Sequence, residues 1–322
     1  MNKKASEQTF SWQEYLAPKF WPSWLGLAGM RILAMLPYRL QLFFGKIIGH
    51  LFYRIARYRR EIAQTNIALC FPELSPAEQE KLVRKHFHSL GISISETAMN
   101  WWGSEKKLKK LVTIKNLDNL DNALKQGKGA IILGAHYTTL EISARLFTFY
   151  HKFAGSYQKF RNPLFDQLTY NGRERIFDQV FDRSDIRKIF RYIKQNNCMW
   201  IATDQDTGLE NTVFVPFFGQ QAATQTAASR MAKVTKAPVV PYVSRRLDNA
   251  RGYEIEFFPA LENFPSGSLE EDAIRTNQFI EDQVRKAPEQ YLWVHRRFKT
   301  RPEGMPKLYR RKPRRLKNKR KS

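Results

Sequence analysis

The chain has 322 residues, with 54 Lys and Arg against 30 Asp and Glu, a formal net charge of +24. That length supports one sizeable core, either a single large domain or one with an added helical piece, and 43% hydrophobic residues exclude a low-complexity chain. The charge points to a polyanionic partner, whether nucleic acid, anionic lipid or an acidic protein. Two cysteines, Cys70 and Cys198, exclude a disulfide scaffold and fit a reducing compartment.

Met1–Thr9 is polar and no small-residue cleavage site follows, so no cleavable signal peptide is expected. Residues 20–56 are the most apolar and aromatic part of the chain. Arg31, Arg39, Lys46 and Arg54 interrupt them, within an arc of roughly 140° at helical spacing. Pro37 divides the stretch into two helices. The pattern predicts helices lying in a membrane interface, cations toward headgroups and Leu, Phe and Ile toward acyl chains. Trp12, Trp21 and Trp24 add residues favoured at such boundaries. Two amphipathic helices packed on the core would share this pattern. A single span through residues 25–45 would bury Arg31 or Arg39 at a cost of about 2.5–3.5 kcal/mol.

Ser75-Pro76-Ala77-Glu78 opens a helix to about Leu90, and a second runs to about Trp102; Glu96 and Trp102 read as packing residues. From about Val112 to Arg297 strand and helix signals alternate. This predicts an α/β fold with a central, mostly parallel sheet flanked by helices. Strands are expected at 130–133, 153–160, 199–203, 213–218, 239–244, 253–258 and 293–297. Helices are expected at 163–178, 222–236 and from Ser268 to Lys286. The organisation is an N-terminal segment at 1–60, an α/β domain at 61–306 and a basic disordered tail at 307–322.

Within this frame GAIILGAHYTTLE (129–141) places His136 at the carboxyl end of a strand and Glu141 in the first turn of the next helix. In open α/β sheets ligands bind in that crevice. Imidazole titrates near ~6.5 and suits a general base, and Glu141 would fix its tautomer and stabilise the imidazolium. Thr138-x-x-Glu141 is equally a capping box. Asp204 and Asp206 follow the strand at 199–203, where two acids could ligate Mg²⁺ or hydrogen-bond the loops around a site. His295 is a rival base, ranked below His136 because Arg296 and Arg297 would lower its pKa.

The motif His136-Tyr-Thr-Thr-Leu-Glu141 resembles the HX4(D/E) signature of glycerolipid-type acyltransferases. Asn66-Ile-Ala-Leu-Cys-Phe-Pro-Glu73, Asn162-Pro-Leu-Phe-Asp166, Thr203-Asp-Gln-Asp-Thr-Gly208, Val213-Phe-Val-Pro-Phe-Phe-Gly219 and Trp293-Val-His-Arg-Arg-Phe-Lys299 narrow the resemblance. In order and wording they are similar to the bacterial late acyltransferases of lipid A biosynthesis, the lauroyl/myristoyl transferases, over residues 20–306. The resemblance implies an enzyme on the cytoplasmic face of the bacterial inner membrane, with acyl-acyl carrier protein as donor. The acceptor would be a hydroxyl of a 3-hydroxyacyl chain on a Kdo-bearing lipid A precursor. It implies no metal and no cofactor.

His136 and Glu141 become the expected catalytic pair. Arg173 is the best match to a phosphate-binding arginine of the family, among the cations Lys159, Arg161, Arg173 and Arg175, although Gln158-Lys159 departs from the Tyr-Arg-Pro wording of many relatives. Arg230, Arg296 and Arg297 are further candidates for the phosphates and carboxylates of the acceptor, Asp204 and Asp206 are expected to shape the substrate site, and Val213–Phe218 to line an acyl pocket or face lipid, a plain core strand being the alternative. Two alternatives remain. Another lipid acceptor, a lysophospholipid or polyprenyl-linked mannoside, would keep the fold. A nucleic-acid-binding protein would explain the charge, but the chain carries no recognition motif for it.

Overall fold

The structure, a computed structural model, describes residues 12–157 and 162–310. The expectations for Met1–Thr9, for Gln158, Lys159 and Arg161, for the side chain of Trp12 and for residues 311–322 of the tail lie outside the described residues.

Helices α1 (Trp21–Met35) and α2 (Tyr38–Ile55) are separated at Leu36-Pro37; Leu36 is extended, as a residue before proline prefers. Helices α3 (Arg57–Cys70) and α4 (Pro76–Trp102) follow. Ser75 and Glu78 close a reciprocal capping box at the start of α4. The expected break near Leu90 is absent, and α4 is one helix of 27 residues. Gly91 lies inside it because α2 crosses there. A Cβ on Gly91 would stand 2.1 Å from the Gly45 carbonyl, and one on Gly49 would stand 2.2 Å from that of Phe87. Helix α2 thus turns glycines inward, while Leu40, Phe43, Phe44, Ile47, Leu51, Phe52 and Ile55 are exposed, Ile55 to 73%. Going round the helix, the exposed Lys46 and Arg39 lie between the glycine seam and this apolar stripe, and the exposed Arg54 falls within the stripe, between Phe43 and Ile47.

After α5 (Glu105–Lys109) come β1 (Val112–Lys115), α6 (Asp118–Leu124), β2 (Ala130–Gly134), α7 (Leu140–Phe147), β3 (Ala154–Tyr157), α8 (Pro163–Glu174), β4 (Gln179–Asp182), α9 (Ile186–Lys194) and β5 (Cys198–Ala202). The chain closes with β6 (Thr212–Phe217), β7 (Gln220–Gln225), α10 (Ala227–Thr235), β8 (Val239–Arg246), β9 (Tyr253–Phe257) and α11 (Leu269–Lys286). Seven strands form one sheet in the order β1-β9-β8-β2-β5-β3-β4. All neighbours are parallel except β8 and β9. The α/β class read from the alternating signals is the fold observed. Central strand β2 is buried along its whole length, and apolar clusters cover the sheet on both faces.

Two expectations are corrected. Residues 222–225 are strand, not helix. Phe218 and Gly219, both at positive φ, reverse the chain in a two-residue turn, so 220–225 pair antiparallel with β6 before α10 begins. Residues 293–297 are a chain of tight turns, not a strand. Asn66 Nδ2 binds the carbonyls of Trp293 and His295, both at 2.7 Å, and local bonds such as His295 N–H to Leu292 O hold the turns. The β6–β7 hairpin is core: Phe217 and Phe218 pack with Tyr291, Trp293 and Phe298.

Candidate active site

Strand register builds the site. β2 and β5 run parallel with Gly134 opposite Ala202, so the second residues beyond their ends, His136 and Asp204, emerge side by side. Asp204 Oδ1 accepts from His136 Nδ1 at 2.7 Å, and its Oδ2 accepts from the His136 backbone N–H at 2.9 Å. The carboxylate is 1% exposed and the imidazole side chain 23%. Nδ1 therefore carries the proton, leaving the lone pair on Nε2 of this partly exposed ring. Burial pushes the Asp204 carboxyl up, but the charge of His136, its two hydrogen bonds and the charge of Arg297 outweigh it and bring Asp204 down to about 2.

Trp200 stands edge-on to the imidazole, ring centroids 6.0 Å apart. Gly134 makes room for that indole, since a Cβ there would lie 2.6 Å from Trp200 Nε1. The same indole walls a recess lined also by Leu140, Phe147, Phe153, Phe177 and Tyr242, with Glu141 and Arg173 as its charged members.

The expectation that Glu141 orients His136 is corrected. Nδ1 is taken by Asp204, and Glu141 pairs with Arg173, which also lies over the Tyr157 ring. Nor is the capping box formed: Thr139, not Thr138, precedes α7 and makes no side-chain cap, while Thr138 Oγ1 bonds Ser89 Oγ at 2.7 Å. Asn100 Nδ2 on α4 holds the Glu141 carbonyl at 3.2 Å.

Three expected substrate contacts are internal. Asp204 is buried against His136. Asp206 accepts from the Thr300 hydroxyl at 2.8 Å and the Gly208 N–H at 3.1 Å, tying its loop to the C-terminal segment. With both acids engaged by protein donors, neither is set out as a cation ligand. Arg297 is 1% exposed and donates to Ala223 O at 2.6 Å and Thr224 Oγ1 at 2.8 Å. A side chain so enclosed cannot meet a phosphate. Arg173 at the recess, the exposed Arg230 and the half-buried Arg296 remain open to an anion. His295 is a structural acceptor: its Nε2 takes the Asp206 N–H at 3.1 Å, and burial, ahead of the nearby charges, lowers its pKa to about 4. Glu96 is a packing residue in a buried bidentate pair with Arg246 at 2.6 and 2.9 Å.

The family profile "Bacterial lipid A biosynthesis acyltransferase" matches residues 8–300. The chain is 36% identical to the lipid A biosynthesis lauroyltransferase of Escherichia coli over 91% of its own length and 96% of that protein's. It is 33% identical to the palmitoleoyltransferase of the same organism, over 92% and 97%. With the myristoyltransferase it shares 29% over 92% of each. A histidine held at the end of a parallel strand beside an apolar recess suits acyl transfer to an alcohol, and with these matches the chain belongs to the bacterial lipid A biosynthesis acyltransferase family.

Proposed function

We propose that this acyltransferase moves a lauroyl- or myristoyl-type chain from acyl-acyl carrier protein to the hydroxyl of a 3-hydroxyacyl chain on a Kdo-bearing lipid A precursor. The observation that carries the reading is the His136–Asp204 pair, one ring nitrogen fixed and the other open, beside the apolar recess. Nε2 removes the proton as the acceptor oxygen attacks the thioester carbonyl. The tetrahedral intermediate collapses, the C–S bond breaks, and the imidazolium returns its proton to the departing thiolate. Asp204 holds the reactive tautomer and faces the imidazolium when it forms. Arg173, beside the recess, offers a charge-assisted partner to an anionic group of the acceptor.

No helix among the described residues is long and apolar enough to cross a membrane. The exposed apolar stripe of α2, flanked by cations, supports interfacial attachment to the cytoplasmic face of the inner membrane, and the net charge of +24 suits both an acidic carrier protein and anionic lipid. The test is transfer of a labelled lauroyl group from lauroyl-acyl carrier protein to a tetra-acylated Kdo-bearing precursor in mixed micelles. His136→Ala should lose about 10²–10⁴-fold while still pelleting with anionic vesicles. Wild-type turnover by that variant would remove His136 from the chemistry.

A further inference from the structure

Ser89 and Glu96 stand seven residues apart on α4, two turns along one face, and both are buried. Strand β8 runs on past its pairing with β2 and brings Arg246, its last residue, against that face. The Arg246 guanidinium binds both carboxylate oxygens of Glu96 and, through Nη1, the Ser89 hydroxyl at 3.0 Å. A guanidinium only donates, so Ser89 Oγ accepts from it and keeps its own proton for Thr138 Oγ1 at 2.7 Å.

Thr138 does not cap α7 and stands two residues beyond His136. Its backbone N–H donates to Gln290 O at 2.8 Å, and His136 O accepts from Leu292 N–H at 3.0 Å. The Gln290 side chain returns to Arg246, accepting from its backbone N–H at 2.8 Å and donating to its carbonyl at 2.9 Å. These bonds close a ring through Arg246, Ser89, Thr138 and Gln290. Asp204 fixes the imidazole itself, and the ring fixes the chain that carries it.

A buried ion pair adds little net stability over packed apolar side chains, and this one aims a single hydroxyl. We infer that Ser89, directed by the Arg246–Glu96 pair, is a positioning residue for acyl transfer. Its bond to Thr138 holds the turn at 136–138 so that Nε2 of His136 meets the acceptor hydroxyl in register. This rests on the reading of His136 as base. Rates respond steeply to such placement, a shift of about 1 Å costing up to about 10²-fold. Loss of the bond therefore lowers kcat and leaves substrate binding alone.

The experiment measures kcat and KM, with lauroyl-acyl carrier protein and the tetra-acylated precursor, for wild type, Ser89→Ala, Thr138→Val and the double variant, each checked by thermal melt. Thr235→Val is the control for stability alone. It removes a buried hydroxyl bonded to Met231 O at 2.7 Å on α10, and should melt lower with kcat unchanged. Each single variant at the ring should lose about tenfold in kcat, with KM within about twofold of wild type. The double variant should lose no more than the worse single one, because one shared bond is removed only once. A folded single variant with wild-type kcat overturns the proposal. So do a loss that falls on KM, losses that multiply in the double variant, or an equal loss in Thr235→Val. A single variant that does not fold leaves the other to decide, and failure of both to fold overturns the proposal, since the bond would then serve folding alone. His136→Ala run alongside separates the two readings. If it retains turnover the base is wrong; if it loses turnover and the Ser89 and Thr138 variants do not, only the role of Ser89 falls.

Discussion

Asp204 and Glu141 are both carboxylates of the candidate site, and the structure treats them oppositely. Asp204 is enclosed, has both oxygens on His136 and stays ionised against the cost of burial. Glu141 keeps 27% of its side chain exposed and meets a guanidinium, not an imidazole. Sequence distance misleads here. The acid five positions along turns away with its helix, and the acid 68 positions along arrives because two parallel strands end in register.

Removing the enclosed acid's charge tests this contrast most severely. Asp204→Asn should lower kcat by about 10³–10⁴-fold with KM little changed, because the amide no longer fixes the reactive tautomer. The control is an unchanged far-ultraviolet spectrum, and a loss below tenfold would break the contrast. Glu141→Gln should cost less, about 10²-fold in kcat/KM, divided between kcat and KM, since it leaves Arg173 without its partner beside the recess. Initial-rate kinetics over both substrates would show this, and a loss equal to that of Asp204→Asn would erase the distinction.

The smallest effect concerns stability alone. Buried imidazoles obey the rule that governs Asp204, with the sign reversed. His86 is fully enclosed, its Nδ1 on the Glu289 carbonyl at 3.1 Å, and burial, opposed by that bond, lowers its pKa to about 4. Between that value and the unfolded one near ~6.5 the unfolded chain binds the extra proton, so stability falls as pH drops through this window. At pH 5 the loss is about 2 kcal/mol for this group. Melts at pH 7.5 and 5 should therefore converge in His86→Gln, and an undiminished acid sensitivity would assign it to other groups.

Much of this was legible in residue patterns. The strands at 130–133, 199–203, 239–244 and 253–258, the proline between α1 and α2 and the capping box at Ser75 all rest on local signals that survive folding. His136 and Asp204 were each readable at the end of a strand. Their pairing was not, because which strands are neighbours is a property of the whole sheet. The hairpin strand at 220–225 resembled a helix start through its alanines, and only the turn at Phe218-Gly219 reverses that preference. The segment at 293–297 has strand composition, but Asn66, distant in sequence, takes up its carbonyls. Arg297 looked like a ligand for phosphate because nothing in its own neighbourhood announces that β7 will close over it.

The uninterrupted course of α4 has a consequence for geometry at the lipid boundary. Gly91 packs against α2 and Asn100 holds the first turn of α7. Nine residues of helix separate them, a stiff spacer of about 13 Å. If α2 lies in a membrane interface, as proposed, this strut would set the height to which an acceptor alcohol must rise to be acylated. Lengthening the strut by a turn would put the machinery out of step with its floor.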